Sequence, residues 1–183
     1  MKSRSVYIFF VIGLLTLLPS YGIVYGQAAL KDPGKNQLKL FEGEWQLKGD
    51  IWKSQFGGNY KEDVNPNRSF VVKAVSPENT VLWNCNYGGG AWATLLWTYH
   101  QATGRVNHIS NTTDNNVGVG VGSFNGNNDL TIKIVYPNGC TTCHRIYTFH
   151  WINVNEFDFK ATIYENEKQT GDFYGATLLR KIK

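Results

Sequence analysis

The sharpest chemical signal in the chain is Cys140-Thr141-Thr142-Cys143-His144. Two thiols separated by two residues and followed by a histidine form the attachment pattern for c-type haem. The thiols add to the vinyl groups, and the histidine ligates the iron. Three features weigh against that chemistry. The pentapeptide lies between an Asn138-Gly139 turn signal and a strand pattern, whereas small cytochromes c carry it on a helix. Met1 is the only methionine, which excludes a methionine sixth ligand once the leader is removed. His150 stands six residues along the same expected strand, about 20 Å from His144, too far to share one iron with it. His100 or His108 would then supply the sixth ligand, or the iron would be five-coordinate. The favoured reading is structural: a local disulfide, or plain thiols, at the rim of the fold. Closing Cys140 to Cys143 requires 140–143 to loop out, because on an extended strand their Cα atoms stand about 10 Å apart, beyond disulfide reach. Otherwise one of the pair would bond to Cys85. A zinc site lacks a second pair of ligands at the usual spacing.

Other chemistry is poorly represented. Gly88-Gly89-Gly90 has no lysine and no helix pattern after it, and the glycines at 118, 120 and 122 recur at strand spacing, so neither is a phosphate loop. There is no Gly-x-Ser-x-Gly elbow and no His-Glu-x-x-His helix. We find no catalytic constellation, and the expectation is a binding protein without turnover. His100 and His108 fit hydrogen-bonded barrel or rim positions. His150, on one face with Ile146, Thr148 and Ile152, is the expected buried polar group.

The elements that must position these residues are strands. From Gly43 onward the chain is a series of short runs rich in Val, Ile, Thr and aromatics, separated by Gly, Asn, Asp and Pro. Strands are expected at 43–52, 67–75, 79–87, 92–100, 105–111, 116–124, 129–136, 144–152, 156–164 and 173–181. Val117, Val119 and Val121 alternate with glycines. Leu130, Ile132 and Ile134 alternate with Thr131, Lys133 and Val135, and Phe157, Phe159 and Ala161 do the same with Asp158, Lys160 and Thr162. One face of each strand therefore meets an apolar interior. The bare glycine face marks strong bending or the close approach of another strand. Asn125-Gly126 is a two-residue hairpin signal. Ten short strands joined by tight turns predict an all-β fold, a single antiparallel up-and-down β-barrel, with an open sandwich as runner-up.

Ahead of the strands, Lys2 and Arg4 precede a 13-residue apolar run, Val6–Leu18, broken by Pro19-Ser20. This is the pattern of a secretory signal, cut after Gly26. The run is too short to span a bilayer, and no later segment is long enough. The expected organisation is a signal peptide at 1–26, a lead-in with one helical turn at 27–42, and a barrel domain at 43–183. The expected location is secreted or periplasmic. Without Lys2 and Arg4, 16 basic side chains face 14 acidic ones. A net charge of +2 is too small to argue for nucleic acid.

Gly43-Glu44-Trp45 at the start of the first strand resembles the Gly-x-Trp of the calycin superfamily. Arg180, on the last run Phe173–Arg180, matches the basic residue that packs across that tryptophan. Leu96–His100 with Thr103-Gly104-Arg105 is similar to the lipocalin-like domains of uncharacterised secreted bacterial proteins. The resemblance spans nearly all of 38–183. It implies a barrel closed at one end by Trp45 and Arg180, and an interior that takes a small, mostly apolar molecule. The aromatic faces that would line that interior carry Trp83, Trp97, Tyr99, Tyr147, Phe149 and Trp151. Tyr87 and Arg145 share those faces, so hydroxyl, indole or guanidinium groups would orient the ligand. No cofactor is expected under this reading; haem c, through Cys140, Cys143 and His144, belongs to the alternative.

Overall fold

The computed structural model describes residues 37–76, 79–126 and 128–182. The expected signal peptide and residues 27–36 of the lead-in lie outside them. The described residues form twelve strands: β1 Gly43–Leu47, β2 Ile51–Phe56, β3 Asn59–Val64, β4 Ser69–Ser76, β5 Thr80–Gly88 and β6 Ala91–His100, then β7 Arg105–Thr112, β8 Val117–Asn125, β9 Asp129–Val135, β10 Cys143–Asn153, β11 Glu156–Glu165 and β12 Lys168–Arg180. From β4 to β12 each strand pairs with the next. β1 joins β4 on one side and β12 on the other, which closes a ten-stranded antiparallel barrel. The all-β, up-and-down expectation is what the chain builds. Among the described residues no helix is long and apolar enough to cross a membrane.

The first expected strand is broken. Gly49 and Asp50 take positive φ (62° and 58°), and residues 48–50 form a 3-10 turn between β1 and β2. Register survives the break. Trp45 faces Phe70, and six residues further along each side Ile51 faces Val64. The Asn65 N–H donates to the Asp50 carbonyl (3.0 Å) across the kink. β1–β2 and β3–β4 are therefore the arms of one long hairpin. Its lower half is barrel wall. Its upper half, β2–β3, stands up as a lip, with β2 paired to β12. The sequence reading has no strand at 59–64, because a run that is exposed at all six positions carries no apolar alternation.

Alternation holds on β9 and β11, where Leu130, Ile132, Ile134, Phe157 and Ala161 are fully buried. On β8 it is inverted. Gly118 is buried, while Val117 and Val121 are 37% and 46% exposed. A methyl group at Gly120 would stand 2.5 Å from the Lys133 carbonyl oxygen and 2.9 Å from Ile134 Cγ1. The backbone of β9 lies where inward side chains of β8 would go, so the bare face marks close approach.

One end of the barrel is plugged. A 3-10 turn, Gln37–Phe41, places Phe41 wholly inside. Its ring lies 4.9–5.5 Å from those of Trp83, Trp97, Phe149, Trp151 and Phe157. The Trp45 indole N–H donates to the Phe41 carbonyl (2.7 Å). Arg180, the register partner of Trp45, lays its guanidinium 4.3 Å from the Trp45 ring and donates to the carbonyls of Leu40 (2.6 Å) and Glu42. The backbone at Gly43 has φ 139°, and a Cβ there would meet the Arg180 guanidinium at 2.6 Å. That geometry is why the residue two before Trp45 must be glycine.

Candidate functional site

Strand β10 runs from the open end to the plugged one, and its inward side chains mark depth: Cys143 at the rim, then Arg145, Tyr147 and Phe149, with Trp151 at the floor. The lower half is solid. Trp83 and Trp97 lie 4.8 Å apart, Trp97 and Phe149 5.0 Å, and Trp151 packs on Trp45 at 5.7 Å. Between this floor and Tyr147 is a void of about 30 Å³, room for about one water molecule. Above it the barrel opens into a cleft of about 940 Å³. Small side chains create that space. Ala93 on β6, with Ser110 and Thr112 on β7, line the cleft where larger residues would fill it.

Of the six aromatics expected to meet a ligand, Tyr147 lines the cleft. Trp83, Trp97, Phe149 and Tyr147 line the small void, while Tyr99 and Trp151 line neither. Tyr99 faces Phe124 instead (6.3 Å). The aromatic wall of the cleft comes from Trp52, Phe56, Tyr87, Trp92, Tyr136 and Tyr174. Of these, Tyr87 shares a strand face with Trp83, which sequence reading saw. Trp52 and Tyr174 meet across the β2–β12 pairing, with stacked rings 5.8 Å apart, a pairing set by the hidden kink at 48–50.

The cleft's polar centre is Arg145. Its Nη1 donates to the hydroxyls of Tyr136 (3.1 Å) and Tyr174 (3.0 Å), and the guanidinium lies 4.6 Å from the Tyr136 ring. The Tyr147 hydroxyl is 2.7 Å from that of Tyr174 and 3.3 Å from that of Tyr136. Burial pushes the Tyr147 phenol well above its ordinary 10, and Tyr174 upward too, so both stay neutral at physiological pH. Arg68, the second cation of the lining, is committed elsewhere. It pairs with Asp63, donates to the Tyr87 carbonyl (2.8 Å) and lies over Trp52, which ties the lip to β5.

Cys140 and Cys143 form a disulfide at the cleft rim, with Cα atoms 5.2 Å apart. The strand starts at Cys143 and 140–142 turn outward, which is the looping-out that closure requires. The thiols that covalent haem would consume are thus bonded to each other. His144 falls on the face of β10 opposite Arg145 and stacks on Tyr164 (4.9 Å), so the residues do not fit haem attachment. Cys85 is free and buried, its thiol pushed up to about 12 by desolvation. His150 does not take the buried place expected of it. His150 is exposed and meets the Asp129 carboxylate at 2.6 Å, because the even positions of β10 face outward. His108 is buried instead, accepting from the Trp97 indole N–H (2.8 Å), and so is His144. Among the described residues, no group of three His, Cys, Asp or Glu could hold a metal ion.

No protein-family model matches the chain. No curated protein matches it. Among solved structures it is similar to Rv2717c from M. tuberculosis, with 12% identity, 79% of this chain and 95% of that chain covered, and a TM-score of 0.56. That likeness bears on the fold alone: both are barrels. The protein EF1p2_mFAP2b, solved bound to DFHBI, aligns over 79% of this chain and 96% of its own at 14% identity, with a TM-score of 0.36. A redesigned β-barrel, b11L5F_LGL, aligns over 79% and 94% at 15% identity and a TM-score of 0.37. Scores this low add nothing to the fold assignment.

Proposed function

We propose that the chain is an exported, calycin-type barrel that binds a small, largely apolar molecule non-covalently, without turnover. The observation that carries this is the cleft of about 940 Å³ at one end of a barrel whose other end is plugged. Its volume is within the range of small-molecule sites, and aromatic walls with a few convergent polar groups are their usual make-up. The calycin reading is supported by the packing of Arg180 on Trp45 beside Gly43. Export is supported by the basic and apolar leader pattern and by the disulfide, a bond that persists in oxidising compartments.

The test is titration of the oxidised protein with Nile red, a neutral apolar dye. Saturable one-to-one binding with blue-shifted emission is expected. Ser54→Trp, which places an indole in the cleft, should weaken binding about tenfold or more, equivalent to ~1.4 kcal/mol. Leu130→Val, a change in the fully buried wall, should leave it unchanged. Absence of saturable binding, or equal binding by the blocked variant, overturns the reading.

A further inference from the structure

We propose that the ligand carries a carboxylate, which pairs with Arg145 while its apolar body lies against Trp52 and Trp92. This deepens, and rests on, the reading of the cleft as a ligand site. Arg145 is a partly buried cation with no carboxylate within 4 Å among the described residues. The other charged or titratable groups of the lining do not supply one. Arg68 is paired with Asp63, His144 stacks on Tyr164, and Asp114, in the turn after β7, forms no ion pair with Arg145. The phenols around the guanidinium are hydrogen-bond partners, not counter-ions. A guanidinium withdrawn from water with no opposite charge is unfavourable unless something compensates it.

The hydrogen-bond inventory points the same way. Nη1 is used twice, by Tyr136 and Tyr174, and the guanidinium has a further hydrogen-bond partner in the Tyr147 hydroxyl, so at least two of its five N–H donors are left over. Tyr136, Tyr147 and Tyr174 bring three hydroxyl protons to two hydroxyl–hydroxyl contacts. At least one O–H is therefore left to donate outside the cluster. A spare guanidinium N–H and a spare phenol proton are two donors beside one positive charge. A carboxylate offers two acceptor oxygens and one negative charge, and charge-assisted bonds of this kind are the strong ones. A phosphate dianion would need a second free cation, which the described lining of the cleft lacks, Arg68 being paired with Asp63. The floor below Tyr147 is solid, so the body of the ligand must lie outward. There Trp52 and the exposed rings of Phe56 and Trp92 line the mouth.

The experiment compares three probes with one naphthalene body, titrated by calorimetry: 2-naphthylacetate, its methyl ester, and 2-(2-naphthyl)ethylamine. With the unaltered protein the acid should bind about tenfold or more tighter than the ester, and the amine weakest. Arg145→Met should erase the acid's advantage and keep ester binding, and Arg145→Lys should restore part of it. Equal binding of acid and ester by the unaltered protein, or preference for the amine, overturns the proposal, and this comparison needs no variant to fold. If Nile red binds but none of the naphthyl probes does, the carboxylate proposal falls and the cleft stands. If nothing binds, the cleft reading falls and takes this proposal with it.

Discussion

Arg180 and Trp45 seal the plugged end through two kinds of contact at once. The guanidinium stands 4.3 Å from the indole ring while donating to the carbonyls of Leu40 and Glu42 on the approaching segment. Last strand, first strand and plug are thereby joined by one side chain. Arg180→Met keeps the aliphatic stem and removes these contacts. We expect a loss of about 2–4 kcal/mol in urea unfolding, from the cation–π contact and the charged hydrogen bonds together.

Phe41 is the centre of the aromatic floor, so Phe41→Ala leaves a cavity that five surrounding rings cannot fill. The expected destabilisation is about 3–5 kcal/mol, read from the same unfolding curves. Because the floor lies below the cleft, Nile red affinity at saturating folded protein should be unchanged.

The outcome for strands and site follows from what each residue packs against. Leu130, Ile132 and Ile134 alternate because one side of β9 is core, and the pattern is plain in the sequence. β3 has no such side, and a polar run gives no strand signal. Alternation on β8 points to the valines as the apolar face, yet Gly118 is the buried residue there; a pattern of apolar and absent side chains does not say which face is crowded by a neighbouring backbone. At the site, the inward set of β10, Arg145 to Trp151, was legible as one face. Which members line the cleft was not, because that depends on Phe41 filling the lower half from outside the strand pattern. The partnership of Trp52 with Tyr174 depends on the kink at Gly49-Asp50, which short-range patterning does not reveal.

His108 makes stability depend on pH. Burial lowers it to about 4 in the folded protein, against an ordinary 6.5 when unfolded. Between those values the unfolded chain binds the proton and the folded one does not. Stability from this group is therefore complete above pH 6.5, is lost as pH falls toward 4, and changes no further below that. The difference corresponds to about 3 kcal/mol. His108→Gln, which keeps an acceptor for the Trp97 indole, should have a flatter profile than the unaltered protein between pH 6.5 and 4 in urea titrations.

The disulfide at the rim closes a short loop, so its removal should be mild. Cys140→Ser with Cys143→Ser is expected to cost about 2 kcal/mol. Intact mass of the unaltered protein should be two hydrogens below the fully reduced value. Protein exported by a host competent in cytochrome c maturation should show no Soret band and no added haem mass.

Binding of a small molecule above the aromatic floor would be read most directly from the indole N–H signals of isotopically labelled protein. Trp52 and Trp92 line the cleft, whereas Trp45, Trp97 and Trp151 lie in or below the floor. Assigned by single Trp→Phe variants and followed during titration with 2-naphthylacetate, the Trp52 and Trp92 signals should move together and saturate, with those of Trp45 and Trp151 fixed. Movement confined to the floor tryptophans, or none at all up to millimolar probe, would mean that the cleft is not a binding site.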